Sequence, residues 1–288
     1  MAWENSRVVY AVDQLDANPY ILAMELQRRV PVQEQPHYST WIRMSKIVTF
    51  WLLAVVFLAS GFVSLLNIWF LLSFVPGFIF TYIAVIVTLT HWRFSSSGGD
   101  YQRKIHELLL SHKSVVGETL DIGCGNGSLL IKAAMADRSA HHIGMDFWGS
   151  DWEYSMQQCQ ANSKLEGANN VEFQKGTASK TEFLDRRFAC VLSCLTFHEV
   201  RDESNKLNMV KEALRVLRYG GCYAFLDLFG DTKYYPSNDE VRAVIEQSGC
   251  IVSLDKPLAE LIALPFPLNG KRALGFARLL CGTKISVS

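Results

Sequence analysis

The sequence predicts an α/β fold in which a parallel sheet is covered by helices on both faces, preceded by a transmembrane helical hairpin. Two observations carry this prediction. Residues 47–92 contain no Asp, Glu, Lys or Arg, and beyond residue 100 helical and strand-like runs alternate along the chain. Such alternation is typical of βαβ units, which place parallel strands in one sheet between two helical layers.

The charge-free segment holds 34 hydrophobic residues in its 46 positions. One helix of that length would be roughly 70 Å long, about twice the ~30 Å thickness of a hydrocarbon core. Two spans at about 47–66 and 69–91 fit better, with a turn near Asn67. Pro76-Gly77 provides an alternative, because it can kink the second helix or mark a later turn. A pair of buried core helices is the competing interpretation.

Basic residues flank both spans, namely Arg43 and Lys46 before the first and Arg93, Arg103 and Lys104 after the second. Basic flanks favour the cytoplasmic side of a membrane. We therefore expect a two-pass integral membrane protein whose N-terminal segment, 1–46, and main domain, 101–288, are both cytoplasmic. The apolar run begins too late and is too long for a secretory signal peptide.

Two shorter segments complete the predicted organisation. Asn18 as a cap and Pro19 at the first helical position predict a helix at 18–30, which either lies on the membrane surface or docks on the main domain. Residues 93–100 form a linker, and its SSSGG run at 95–99 predicts flexibility.

Charge and cysteine usage exclude several classes of protein. The chain has 28 Lys and Arg against 28 Asp and Glu, so no basic excess favours a nucleic-acid partner. Its seven cysteines form no CxxC pair, and we expect free thiols in a reducing compartment. The histidines are scattered, including His141-His142, and predict no metal site.

The remaining elements follow from local apolar periodicity and turn residues. Helices are predicted at 101–112, 127–137, 151–166, 203–218 and 238–248, and strands at 118–122, 141–146, 170–174, 188–194, 222–229, 250–254 and 276–283. Ligands of parallel sheets bind at the carboxyl ends of the strands, so informative residues are expected just after strands.

The first strand runs into LDIGCGNG at 120–127, directly before a helix. Glycines at alternate positions allow a sharp turn and close backbone approach, and Asp121 can accept hydrogen bonds from a ligand amine. The second strand ends at Asp146, 21 residues after Gly125, where a carboxylate can accept from both hydroxyls of a ribose. An acid before GxGxG disfavours a pyrophosphate at the helix start, so a cationic, amine-bearing nucleoside fits better than NAD.

Residues from about 98 to 284 resemble a class I S-adenosylmethionine-dependent methyltransferase. The matching pieces, in the family's order, are LDIGCGNG (120–127), IGMDFWG (143–149), FQKGTA (173–178), FACVLSCLTFHEV (188–200) and EALRVLRYGGCYAFLDLF (212–229). The resemblance implies a Rossmann-like seven-stranded sheet with an antiparallel last strand at 276–283, and S-adenosyl-L-methionine as the cofactor. It implies these cofactor-binding residues: Asp121, Gly123, Cys124, Gly125, Gly127, Asp146, Phe147, Thr177, Ala178 and Ser193.

The resemblance assigns Asp121, Gly123 and Gly125 to the methionine moiety, Asp146 to the ribose and Phe147 to the adenine. One position departs from the family, in which Gly-Asp often follows the third strand and its acid accepts from the adenine amine. Here the pair is Gly-Thr at 176–177, and a hydroxyl accepts more weakly than a carboxylate. The amide of Ala178 and apolar packing are then expected to contribute to adenine recognition.

His198, after the fourth predicted strand, is the catalytic candidate. Imidazole has the basicity to take a proton from the acceptor, or the side chain can orient it. A histidine that caps the next helix through the backbone is the open alternative. Trp148, Trp152 and Tyr154 either form an aromatic wall for the acceptor or pack a helix on the sheet.

The connection at 258–270 is unusually apolar. It either covers the active site or touches the bilayer, with Lys271 and Arg272 as headgroup partners, or it packs as a helix under the sheet. Together with the anchor it predicts methyl transfer to a small lipophilic or membrane-associated acceptor, such as a phospholipid, sterol or quinone. The alternative is a non-catalytic cofactor-binding or scaffold protein on this fold. A nicotinamide-dependent reductase is disfavoured by the glycine spacing.

Overall fold

The computed structural model describes residues 35–285, except Val115, Asp151 and the side chain of Ser64. The helix predicted at 18–30 lies outside the described residues. Within them, an apolar helical hairpin precedes a single seven-stranded sheet.

The hairpin consists of two α-helices joined by two short 3-10 helices on either side of Asn67. The side chain of Asn67 accepts a hydrogen bond from the amide of Trp69 at 3.1 Å, which begins the second 3-10 helix. The elements are α1 (Met44–Phe62), the 3-10 helices Val63–Leu65 and Ile68–Ser73, and α2 (Phe74–Phe94). The turn therefore lies where the sequence predicts it.

Small residues let the two helices pack closely. Ala54 and Ala84 are buried, and a Cβ on Gly77 would come within 2.7 Å of the side chain of Leu58. Pro76 lies in the first turn of α2, where its missing N–H costs no helical hydrogen bond. The helix continues through both residues, so the alternative of a later turn at Pro76-Gly77 is wrong.

Both arms of the hairpin are long and apolar enough to cross a membrane, by length and composition. The first arm has 19 residues, and the second, counted from Ile68, has 27. Core helices of soluble proteins meet the same criteria but are mostly buried, whereas only 17% and 11% of these apolar windows are buried. Leu65 and Leu66 at the turn are 91% and 89% exposed. No part of the described chain covers this apolar surface.

The linker expected to be flexible at 95–99 is instead a packed turn. α2 continues to Phe94, whose buried ring lies 5.0 Å from that of Trp41. The amide of Asp100 then donates to the carbonyl of Ser95 at 2.9 Å. A Cβ on Gly98 would overlap the backbone of α2, so the close approach requires glycine. The hairpin is therefore joined to the domain by a short folded turn.

The sheet confirms the predicted α/β fold and its helices on both faces. Strand order is β3-β2-β1-β4-β5-β7-β6, and only β7 runs antiparallel to its neighbours. Its strands are β1 (Thr119–Ile122), β2 (His142–Asp146), β3 (Val171–Lys175), β4 (Phe188–Cys194), β5 (Leu217–Asp227), β6 (Cys250–Pro257) and β7 (Arg278–Lys284). The accompanying helices are α3 (Tyr101–Ser111), α4 (Ser128–Ala136), α5 (Met156–Leu165), α6 (Leu207–Arg215), α7 (Asn238–Gln247) and α8 (Leu258–Leu261).

Several predicted boundaries are wrong, including the start of the helix predicted at 203–218, which begins at Leu207, and the end of the strand predicted at 250–254, which extends to Pro257. The helix expected from residue 151 begins at Met156, because the hydroxyl of Ser155 caps it by accepting from the amide of Gln158 at 3.1 Å. The strand expected from residue 222 begins at Leu217, which pairs with Phe188 on β4, and the helix before it ends correspondingly early.

Alternating side chains of β5 show that both faces of the sheet are buried. Tyr223 and Phe225 belong to one hydrophobic cluster, and Cys222, Ala224 and Leu226 belong to the cluster on the opposite face. With both faces covered, the carboxyl ends of the parallel strands are where a ligand can reach the sheet.

Candidate active site

A cavity of about 940 Å³ opens at the carboxyl ends of the parallel strands. It is lined by the glycine-rich turn after β1, by Asp146 at the end of β2, by residues 176–178 after β3 and by residues 194–196 after β4. The cavity therefore lies at the edge of the sheet where the sequence predicts the ligand.

The glycine-rich turn after β1 is packed tightly against its neighbours at the edge of this cavity. Gly123 has φ 76°, and a Cβ there would come within 2.1 Å of Thr196, so the turn requires glycine. Gly125, with φ 57°, donates its amide to Oδ2 of Asp146 at 2.9 Å. Together with the bond from the Gly123 amide to the carbonyl of Met145 at 2.7 Å, this bond holds the turn after β1 against the end of β2.

Asp121 is a buried carboxylate without a partner. It is 1% exposed and lines the cavity, and neither of its carboxylate oxygens has a hydrogen-bond partner in the described part of the chain. Burial, reinforced by the charge of Asp146 and opposed by the nearby amide of Leu130, raises the pKa of Asp121 to about 8. An unpaired buried carboxyl destabilises the fold, and a cationic ligand group is the partner that would remove this cost.

Asp146 is a second carboxylate at the cavity. Its Oδ1 accepts from the amide of Trp148 at 2.8 Å, while Oδ2 accepts from Gly125. Burial raises its pKa, and these amides oppose the rise. Next to it, the ring of Phe147 is 64% exposed, with the ammonium of Lys175 at 5.3 Å from its centroid. Lone pairs on Asp146 remain for hydroxyl groups, and Phe147 offers a flat apolar surface.

Thr177 lines the cavity, but its hydroxyl hydrogen is already used. The hydroxyls of Thr177 and Ser179 both donate to Oδ2 of Asp202, at 2.8 and 2.7 Å. Burial would raise the pKa of Asp202, but the bonds from Ser179 and Thr177 outweigh it and the pKa is lowered. Asp202 lines the cavity near Gly176 and Ala178. This carboxylate was not predicted from the sequence, because it comes from a loop 25 residues further along the chain.

His198 forms a close pair with a buried carboxylate. Its Nδ1 lies 2.7 Å from Oδ1 of Asp227, which is fully buried at the end of β5. The Asp227 carboxylate also accepts the amides of Phe197 and Leu228, at 2.8 and 2.7 Å. Nε2 of His198 lies 3.5 Å from the carboxylate of Glu199. Burial opposes protonation, but Asp227 and Glu199 raise the pKa of His198 to about 10.

This geometry narrows the predicted roles of His198. An imidazolium has no lone pair for a proton, so orienting the acceptor is the role that remains compatible. The alternative of a backbone-bonded cap is wrong, since the partner is a side chain. Asp227 was not predicted as a site residue from the sequence, although it is the lone acid within the apolar run CYAFLDLF, a pattern that could have identified it.

Two residues expected to bind the cofactor do not line the cavity. Ser193 is fully buried and donates its hydroxyl to the carbonyl of Ile122 at 3.1 Å. Gly127 faces the core, because a Cβ there would come within 3.1 Å of the ring of Phe173. Both shape the sheet and turn beneath the site.

Two of the three aromatic residues form part of the cavity wall. Trp152 and Tyr154 line it, with ring centroids 5.7 Å apart and nearly parallel planes. Trp148 instead donates its Nε1 hydrogen to the carbonyl of Gly125 at 2.9 Å, which supports the glycine-rich turn.

All seven cysteines are free thiols, as predicted. Cys124 and Cys194 line the cavity, where burial raises the pKa of each well above its usual value. Neutral buried thiols are poor nucleophiles, so neither is a catalytic candidate. Among the described residues, no group of three or more His, Cys, Asp or Glu side chains could hold a metal ion.

The apolar connection between β6 and β7 forms another wall. Leu258 and Leu268 are buried in the core, whereas Phe266 and Pro267 line the cavity. The connection is therefore part core and part cavity wall, which combines two of the predicted alternatives.

Residues 36–45, which we call the strap, lie between the hairpin and the site. Trp41 lines the cavity, and the amides of Met44 and Ser45 both donate to the carboxylate of Glu153 at 3.0 Å. The beginning of α1 is thus bonded to the loop after β2.

The strap is also bonded to the glycine-rich side of the cavity. Asn126, within the glycine-rich turn, donates to the carbonyl of Ser39 at 2.8 Å, and the Tyr154 hydroxyl donates to that of Thr40 at 2.7 Å. The sequence did not indicate these contacts, since residues 87 and 114 positions apart form them.

Comparison with known proteins agrees with this geometry. Residues 119–221 match a family model described as a methyltransferase domain. A chain of a Haloferax volcanii complex, between the Trm112 methyltransferase activator and a protein assigned as a methyltransferase, has the same fold. It is 19% identical over 65% of this chain and 93% of its own, with a TM-score of 0.50. The fold is a methyltransferase fold.

Two further solved structures are similar at lower identity. The cyclase SpnF is 14% identical over 66% of this chain and 83% of its own, with a TM-score of 0.49. Geranyl diphosphate C-methyltransferase from Streptomyces coelicolor is 13% identical over 64% and 79%, also with a TM-score of 0.49. No curated protein is significantly similar in sequence. Function therefore has to be argued from the site.

Proposed function

We propose that this chain is a membrane-anchored, S-adenosylmethionine-dependent methyltransferase that acts on a small lipophilic or membrane-associated acceptor. The observation that carries the proposal is Asp121, a buried and unpartnered carboxylate directly before a glycine-rich turn. The amino group of S-adenosylmethionine is a cation that can pair with such a carboxylate.

The surrounding residues fit the rest of this cofactor. Gly123 and Gly125 form the tight turn beside Asp121, Asp146 has lone pairs for ribose hydroxyls, and Phe147 exposes a ring for the adenine. When bound, the cofactor supplies an electrophilic methyl group on a sulfonium sulfur. The sequence of groups along β1 and β2 thus matches the cofactor from its amine to its base.

In this proposal the chain acts by positioning the reactants. Transfer from a sulfonium needs the acceptor atom, methyl carbon and sulfur in line more than it needs a strong base. His198, charged near neutral pH and fixed by Asp227, orients the acceptor through hydrogen bonding or charge. The acceptor accordingly brings its own lone pair or arrives already deprotonated.

The hairpin serves as the anchor in this proposal. Its outer surface is apolar and exposed, and its arms have the length of membrane spans. Arg43 and Lys46 stand where α1 begins, and Arg93 stands where α2 ends. Because all three lie at the same end of the hairpin, we assign that end and the methyltransferase domain to the cytoplasmic side.

The acceptor assignment rests on the wall that the hairpin contributes. Ile83, Ile86 and Val87 of α2 line the same cavity as Asp121. A site that shares a wall with an anchoring helix suits an acceptor dissolved in the bilayer.

The test begins with calorimetric titration of S-adenosylhomocysteine into the full-length protein in lipid nanodiscs. We expect saturable binding that Asp146→Ala largely abolishes. The protein is then incubated with methyl-labelled S-adenosylmethionine and native membranes, and we expect label in the lipid extract. Wild-type protein that does not bind the ligand contradicts the proposal. Binding without transfer to any extracted lipid or metabolite favours a non-catalytic cofactor-binding protein instead.

A further inference from the structure

The cavity has two chemically different ends. Asp121 and Asp146 form a polar end at the strands, whereas Ile83, Ile86 and Val87 of α2 form an apolar end. Methyl transfer itself uses only the polar end. We therefore expect the apolar end to bind a separate, apolar group of the ligand.

α2 presents three separate faces. Ala84 is buried and the Thr88 hydroxyl accepts from Nε1 of Trp51 at 3.1 Å, so this face packs on α1. Val85 is 45% exposed and does not line the cavity, so it marks an outward face. The cavity-lining residues form a third stripe at helical spacing: Tyr82, Ile83, Ile86, Val87, Thr90 and Phe94.

The opposite wall comes from the connection between β6 and β7. Phe266 and Leu274 line the cavity there, the first 57% and the second 4% exposed, and Lys271 and Arg272 between them add two cationic side chains to this wall. Nε of Arg93 donates to the carbonyl of Phe266 at 3.4 Å and joins this wall to α2. The two walls border a largely apolar part of the cavity, the channel, between the hairpin and the polar end.

We propose that this channel binds the hydrocarbon chain of a long-chain amphiphile that enters sideways from the bilayer and presents its polar end to His198. The inference rests on the proposed function and names its substrate class, an acyl or isoprenoid chain with a methylatable head. From Ile83 to Phe94 the stripe extends about 16 Å along α2, a length that suits an extended chain. A chain in this position leaves its far end among the lipids, so the acceptor need not leave the membrane to react.

The test uses full-length protein in nanodiscs with a diazirine-bearing palmitic acid as the probe. After photolysis, peptide mass spectrometry locates the label. We expect label on residues 262–277, which belong to the methyltransferase domain and not to the hairpin. Ile86→Trp obstructs the channel and should lower this labelling about tenfold, because an indole occupies the path. Val85→Trp, on the outward face, is the matched control and should leave it unchanged.

Titration of S-adenosylhomocysteine separates this inference from the proposed function. Ile86→Trp should bind it as the wild type does, because Asp121 and Asp146 are untouched. Ile83→Trp provides a second, independent obstruction if the first variant does not fold. Unchanged labelling of residues 262–277 in a variant that still binds S-adenosylhomocysteine overturns the channel alone, as does wild-type label confined to the hairpin. Absence of binding in the wild type overturns the proposed function.

Discussion

Asp121 sets stability and ligand affinity against each other. Its carboxyl group is buried beside Asp146 and has no partner in the described chain, so it destabilises the unliganded protein. Because neither carboxylate oxygen accepts a hydrogen bond from the described chain, both are available to a ligand ammonium. Residues that bind ligands commonly lower stability in this way.

Replacing Asp121 with Asn tests whether the carboxyl group lowers the stability of the unliganded protein and raises its affinity for the ligand. We expect the melting temperature of the unliganded protein to rise by a few degrees, because the ionisable group is gone. Affinity for S-adenosylhomocysteine should fall about tenfold or more, since a charge-assisted hydrogen bond is lost. Scanning fluorimetry and calorimetry measure the two effects.

With a pKa of about 8, wild-type Asp121 ionises as pH rises from 6 to 8, so wild-type affinity should increase over that range. Asp121→Asn should show no such increase, and an unchanged affinity would remove Asp121 from the site.

The His198–Asp227 pair predicts a dependence of stability on pH. The pKa of His198 rises from 6.5 to about 10 on folding, through Asp227 and Glu199 against the effect of burial. The stabilisation is fully present below pH 6.5 and is lost as pH rises through 10. Melting temperature should therefore fall between pH 7 and 10, and the fall should be smaller in His198→Gln. An equal change of melting temperature with pH in the wild type and in His198→Gln would show that folding does not raise the pKa of His198.

Asp202 predicts which base the site prefers. Its carboxylate, held by Thr177 and Ser179, can accept from the exocyclic amine of adenine. In Asp202→Asn, the amide oxygen can keep the two hydroxyl bonds and turn its NH₂ group toward the base. That group favours the carbonyl of hypoxanthine over the amine of adenine. The affinities for S-adenosylhomocysteine and S-inosylhomocysteine are measured for the wild type and for Asp202→Asn. The preference for the adenine-bearing ligand should be smaller in the variant than in the wild type, or reversed. The same ratio in both proteins would limit Asp202 to joining two loops.

At the scale of elements, the strap makes the hairpin part of the catalytic domain. Its backbone is bonded to the glycine-rich turn through Asn126 and to the loop after β2 through Glu153 and Tyr154. A hairpin that only anchored the domain to a membrane would need none of these hydrogen bonds. They place the start of α1 in a defined position beside the cavity.

Tyr154→Phe removes one of these bonds and keeps the ring that lines the cavity. The carbonyl of Thr40 then loses its donor, which should lower stability by about 1 kcal/mol. Limited proteolysis should cleave within residues 36–45 faster than in the wild type. Tyr223→Phe serves as the control, because it removes a hydroxyl bond to a carbonyl, that of Ile251, away from the strap. Equal cleavage rates would mean that the hydroxyl does not hold the strap.

The elements that the sequence predicts well are those whose signal is local. Apolar runs gave the strands, and the acid before alternate glycines located the turn at Asp121. Pairs such as His198 with Asp227, or Thr177 with Asp202, join loops distant in the chain, and one sequence does not show which loops meet. The prediction of a flexible linker is wrong for the same reason, because the SSSGG run alone does not show that Gly98 packs against the backbone of α2.

At the scale of the whole molecule, the hairpin, the strap and the sheet share one cavity, so the orientation of the hairpin fixes where the reaction occurs. The basic residues at the beginning of α1 and the end of α2 predict that both ends are cytoplasmic and that the turn around Asn67 lies across the membrane.

Single cysteines introduced at the two ends of the hairpin test this topology. The native thiols give little background, since six are buried and Cys194 is half-buried. Leu66→Cys, at a position 89% exposed in the turn, should react in intact cells with a maleimide that does not cross membranes. Ser97→Cys, at the other end, should react only after permeabilisation. The reverse pattern would place the methyltransferase domain outside the cytoplasm. If both cysteines needed permeabilisation, the hairpin would not cross the membrane, and the sideways route to His198 would have to begin at its surface.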